Sequence, residues 1–185
     1  MRAFDAVFDS QRVFRCVLQA TAQPGKLFTL PPTEAAPPET VALALLDHEV
    51  TFCTAGEEAR EAGERIARET GSRVIPLPEA DFALISGGDS DGAVLDLNRG
   101  TLEHPETGAT AIYAVERLGT GPLTLGLSGP GISGERTLGV EGLSAREAEA
   151  IRESRMDYPL GVDVYLVDGA GRVAGLPRST RLEVV

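Results

Sequence analysis

The sequence predicts a three-layer α/β fold built on a mixed sheet. Helix-like and strand-like segments alternate through the first half of the chain, as crossover connections between parallel strands require. In the second half strand-like segments cluster, which suits antiparallel neighbours. With 185 residues, 42% of them hydrophobic, there is enough apolar material for one core. No internal repeat and no long linker divides the chain, so residues 1–185 read as a single domain.

Each element has its own signal. Phe8 to Ala22 reads as an amphipathic helix with Val13, Phe14, Val17 and Leu18 on one stripe and Asp9 or Ser10 as cap; Gln23-Pro24-Gly25 ends it. Lys26 to Leu30 is a short strand, and prolines 31, 32, 37 and 38 bound a loop. Thr40 to Leu46 reads as a buried helix and Val50 to Cys53 as a strand. Glu57 to Thr70 is a surface helix with a thin seam of Ala62 and Ile66, stopped by Gly71. Strands follow at Arg73–Leu77 and Asp81–Ser86, then a glycine-rich turn and a short helix toward Leu97. Ala109–Val115, Leu123–Ser128 and Thr137–Val140 read as strands, and Ser144–Arg155 as a capped helix. The strongest strand pattern is Val162 to Val167, where Val162, Val164 and Leu166 alternate with Asp163, Tyr165 and Val167. Asp168-Gly169-Ala170-Gly171 turns it into a return strand from Val173, and Leu182–Val185 is the last strand.

The net charge of −11 excludes non-specific attraction to nucleic acid or to an anionic membrane surface. Lys26 is the one lysine, so a Schiff base would have to form there, and no G-x-x-x-x-G-K-[ST] phosphate loop exists. Two cysteines, no signal peptide and no apolar run of membrane-spanning length predict a reduced cytoplasmic protein. His48 and His104 have no partners at metal-ligand spacing, and neither Cys16 nor Cys53 sits in a nucleophile motif, so no metal site and no catalytic residue is assigned.

Two segments hold candidate anion-binding or interface residues. Gly129-Pro130-Gly131-Ile132-Ser133-Gly134 has dinucleotide-loop spacing, yet a strand rather than a helix follows, and Pro130 removes an amide. The expected structure is a glycine loop joining two antiparallel strands. Loop amides at Gly129 and Gly131, with Arg136 just beyond, leave a small anion site open. Pro177-Arg178-Ser179-Thr180 presents one guanidinium and two hydroxyls in a rigid turn, a place for an anion or a partner carboxylate.

Several segments occur together in the order seen in the PhnH family of the bacterial carbon-phosphorus lyase system. They are Phe14-Arg15 with Leu18 and the Pro24-Gly25 exit, Leu45-Leu46-Asp47-x-Glu49, Leu127-Ser128-Gly129-Pro130-Gly131-Ile132, Pro159-Leu160-Gly161-Val162-Asp163 and Pro177-Arg178-Ser179-Thr180. The chain resembles that family from about Asp9 to Val184, and departs from it in having no tryptophan in the strand after Glu49. The resemblance implies a fold similar to the large domain of pyridoxal-phosphate-dependent transferases, without that cofactor. It implies a homodimer in isolation and, in the cell, a core complex with PhnG, PhnI and PhnJ subunits. That complex forms α-D-ribose 1-alkylphosphonate 5-triphosphate from ATP and an alkylphosphonate. Two readings follow. In one, the chain is an assembling or assisting subunit. In the other, it is a transferase or phosphate-ester enzyme in its own right, holding phosphonate or nucleotide oxygens with Arg136 and Arg178 and using Asp163 as acid or base.

Overall fold

A computed structural model describes residues 3–56 and 59–185, which form two sheets and four α-helices. In chain order these are α1 (Phe8–Ala22), β1 (Phe28–Thr29), α2 (Pro37–Leu45), β2 (Thr51–Ala55), α3 (Ala59–Thr70), β3 (Arg73–Val74), β4 (Phe82–Ile85), β5 (Thr110–Val115), β6 (Arg117–Ser128), β7 (Glu135–Glu141), α4 (Ala145–Glu153), β8 (Asp163–Asp168), β9 (Arg172–Leu176) and β10 (Arg181–Val184). The expected start of the third helix at Glu57 lies outside the described residues. The strand expected over Arg73–Leu77 stops at Val74, because Pro76 and Pro78 cannot donate to a ladder and Leu77–Glu79 winds into a 3-10 turn.

The larger sheet has seven strands in the order β1-β9-β8-β5-β4-β2-β3. It is mixed: β8, β5, β4, β2 and β3 run parallel, while β9 and β1 are antiparallel additions on one side. The second sheet, β10-β6-β7, is antiparallel throughout. The period of two in β8 explains how the layers stack. Val164 and Leu166 point into a core shared with Leu118, Leu125 and Leu127 of β6 and with Ile151 of α4. Tyr165 and Val167 point the other way, into the core under α1, α2 and α3 with Val13, Val17, Val41 and Ile66. Three helices therefore cover one face of the main sheet, and the small sheet with α4 covers the other. Each fully buried Leu, Ile or Val contributes about 1.5–3 kcal/mol of transfer free energy.

Helix α4 begins as expected, with the Ser144 hydroxyl accepting from Glu147 N at 3.0 Å. Helix α1 departs from expectation in two ways. Its capping acceptor is Asp5, which takes Val7 N at 2.9 Å and Phe8 N at 2.8 Å; Asp9 is fully buried inside the first turn and accepts from Asp5 N. Its buried stripe is Val13, Val17 and Ala20, whereas Phe14 and Leu18 are 54% and 56% exposed. One residue along a helix is a rotation of about 100°, which carries Phe14 off the stripe set by Val13. Among the described residues no helix is long and apolar enough to cross a membrane.

Candidate functional site: an arginine-lined cleft

The turn after β9 and the end of α4 meet at a solvent-open cleft of about 840 Å³. Its walls come from three places: Ser128 to Pro130 at the end of β6, Arg152 to Tyr158 at the end of α4, and Arg178 to Glu183 around the start of β10. Register explains why these meet. Strand β10 pairs antiparallel with β6, setting Arg181 opposite Ser128 and Leu182 opposite Leu127, and α4 packs against β10. Four arginines line the cleft, Arg152, Arg155, Arg178 and Arg181, with Glu183 as a carboxylate on the same wall. In a chain of net charge −11 this is a local reversal of sign.

The arginines differ in how their donors are used. Arg178 is committed to its own protein. Its guanidinium grips the Asp163 carboxylate through Nη2 at 2.6 Å and Nε at 3.1 Å, and its backbone N–H donates to the same carboxylate at 2.7 Å. The remaining donors reach Pro105 O and Gly108 O, tying the turn to the approach into β5. Arg152 is half-exposed and paired with Glu149 at 2.6 Å. Arg181 is exposed at the mouth. Arg155 is only 5% exposed: its Nε donates to Ile151 O, and Nη1 to Leu176 O and Pro177 O. Burial pulls its guanidinium down to about 10, which leaves it cationic at neutral pH.

The six residues singled out from sequence separate into two groups. Gly129 and Thr180 line the cleft with Arg178, and Asp163 stands behind Arg178 as its carboxylate partner. Gly131 and Arg136 lie elsewhere, at the exit of α1. There Arg136 donates to Pro24 O at 2.5 Å, and Gly131, at φ +82°, packs so close to Ala22 O that a Cβ would collide. The 129–134 loop joins the antiparallel strands β6 and β7. Sequence reasoning missed Arg155. Its one signal is the Arg152-x-x-Arg155 spacing, which places two cations on one face at the end of a helix.

Other reactive groups are quiet. Burial raises the Cys53 thiol to about 11 and raises that of Cys16 as well, so neither is a ready thiolate. Glu147 is fully buried and accepts from Tyr113 Oη, Ser90 Oγ and Gly92 N, a satisfied cluster that ties α4 to β5 and to the 90–92 turn. Burial, and then the Glu147 charge, push the Tyr113 phenol well above its usual range. Lys26 is exposed, with Nζ on Gln23 Oε1 at 3.0 Å and over the Phe28 ring. Among the described residues no three His, Cys, Asp or Glu side chains gather as a metal-ligand set.

The family model described as bacterial phosphonate metabolism protein (PhnH) matches residues 3–183. A Stutzerimonas stutzeri protein named as a C-P lyase subunit protein, HtxG, is 33% identical over 174 residues, 94% of this chain and 86% of the relative. The α-D-ribose 1-methylphosphonate 5-triphosphate synthase subunit PhnH of Rhizobium meliloti (strain 1021) is 31% identical over 188 residues, 97% of this chain and 92% of the relative. With nearly its whole length matched, the chain belongs to the PhnH family.

Proposed function

We infer that the chain is a subunit of a carbon-phosphorus lyase core complex, serving phosphonate catabolism by helping to form α-D-ribose 1-alkylphosphonate 5-triphosphate. The observation that carries this is the end-to-end match to relatives named as subunits of that machinery. A surface feature supports a subunit role. Phe14 and Leu18, at i and i+4 on the outer face of α1, are 54% and 56% exposed, and Val7 and Phe8 at the start of the helix are 73% and 66% exposed. We assign this face to a partner subunit, with PhnG, PhnI and PhnJ as the components of the assembly. In isolation the chain forms a homodimer of two 19.5 kDa copies and acts in the cytoplasm as a single domain. Its fold is like that of the large domain of pyridoxal-phosphate-dependent transferases, as the family resemblance implies.

The reading as an independent enzyme draws less from the geometry. Arg178 and Asp163 satisfy each other, and Arg136 caps the exit of α1. Co-expression with the other core subunits, followed by size measurement, tests the subunit reading. The chain is expected to enter a larger complex, and Phe14→Glu with Leu18→Glu to remove it by at least tenfold while the isolated chain stays folded. A wild-type chain that remains apart from co-expressed partners overturns the reading.

A further inference from the structure

Among the described residues, two buried side-chain polar atoms have no hydrogen-bond partner, Arg155 Nη2 and Thr180 Oγ1. Both residues line the arginine cleft, though they come from different elements, the end of α4 and the turn before β10. Buried donors left unpaired are costly, and a buried cation more so. Arg155 enters none of the ion pairs found among the described residues; carbonyl oxygens hold its other donors and fix its orientation without neutralising it. The Thr180 hydroxyl can donate as well as accept, so one anionic acceptor at the cleft would satisfy both it and the guanidinium nitrogen.

We propose that this cleft binds a tetrahedral phosphorus oxyanion, the phosphate or phosphonate group of a small organic molecule, whose oxygens complete Arg155 Nη2 and Thr180 Oγ1. The donor set decides the class. A planar carboxylate is best met by a guanidinium edge offering two parallel N–H bonds, but Arg155 has spent Nε and Nη1 on the protein. One free guanidinium nitrogen and one hydroxyl, arriving from separate elements, match oxygens that point in several directions. Arg181 adds positive charge at the mouth, whereas Arg152 is neutralised by Glu149 and Glu183 stands on the same wall, so the anion's charge is met chiefly by Arg155 and Arg181. Tyr158 and Met156, 67% and 63% exposed on the same wall, offer an apolar surface to the organic substituent. At about 840 Å³ the cleft exceeds the needs of a bare ion. This inference goes beyond the subunit reading, and it concerns the isolated chain, so it stands or falls without the partners.

The test is calorimetric titration of the full chain with inorganic phosphate, methylphosphonate and phenylphosphonate, with acetate as the planar control. Saturable binding of at least one phosphorus oxyanion is expected at one site per chain, at least tenfold tighter than acetate. Phosphonate binding tighter than phosphate assigns the C–P class; the reverse order assigns a phosphate ester. Because Arg155 also braces the fold, the decisive variant is Thr180→Val, whose lost hydroxyl has no partner in the protein. It is expected to keep the melting temperature and weaken binding about tenfold, the usual weight of a hydrogen bond to a charged group. Arg181→Ala, at the surface, is expected to weaken binding two- to fivefold, less so in high salt. Absence of saturable binding for all three oxyanions, acetate binding as tightly, or unchanged affinity in Thr180→Val overturns the proposal.

Discussion

Two arginine–aspartate pairs bracket the β8–β9 hairpin, one at each end, and they do different work. At the turn, Asp168 is fully buried and accepts from four donors: Leu118 N, Ala170 N, Arg172 N and Arg172 Nε. This end is closed, because the carboxylate sews the hairpin turn to β6. At the other end Asp163 and Arg178 are partly exposed, at 30% and 13%, and stand beside an open cleft. The second pair fastens the approach to β5, yet it leaves its neighbours Arg155 and Thr180 with unfilled donors. The same chemistry thus makes a structural lock where every acceptor is met inside the protein, and a candidate binding site where donors outnumber acceptors. The open end adjoins the amino ends of the parallel strands β5 and β8, opposite to the carboxyl-end crevice where open α/β sheets commonly bind ligands.

The contrast can be broken most forcefully at the closed end. Asp168→Ala strands three backbone N–H groups and the Arg172 guanidinium, and is expected to cost about 3–5 kcal/mol in urea unfolding. A loss below 1 kcal/mol would erase the distinction between the ends.

Next in size is a yardstick from a strand farther along the main sheet. Burial raises the Cys53 thiol of β2 from an ordinary value near 9 to about 11. The contribution is complete below pH 9 and is lost as pH rises to 11, because only the unfolded thiol ionises in that window. Stability should fall there by about 2–3 kcal/mol from this group, and Cys53→Ala should flatten that part of the decline.

At the open end the expected cost is smaller. Arg178→Ala leaves a carboxylate that water can reach, so about 1–2 kcal/mol is expected in urea unfolding, without loss of the fold. Smallest of all is Thr180→Val. Its hydroxyl bonds nothing in the protein, so unfolding should change by less than about 0.5 kcal/mol even as oxyanion affinity falls.

Much of this architecture was legible from residue pattern. The β8–β9 hairpin follows from the alternation over Val162–Val167 and the Asp-Gly turn, and the start of α4 from Ser144. Phe14 and Leu18 were misassigned because four apolar residues on α1 admit two stripes, and only contact with β9 and α2 selects Val13 and Val17. The site was half legible. Arg178 and Thr180 sit in a conspicuous turn, whereas Arg155 looks like any helix-terminal arginine until the fold brings Leu176 O and Pro177 O to it.

The sequence alone determined the fold class, the mixed character of the sheet and, through the ordered PhnH-like segments, the family, because all three follow from local periodicity and motif order along the chain. Tertiary structure decided that the late strands divide between two sheets, that Arg136 and Arg178 lie in different places, and that Arg155 is buried with a donor to spare. Burial and hydrogen-bond satisfaction depend on which distant carbonyls and carboxylates arrive beside a side chain. No spacing along the chain encodes that arrival.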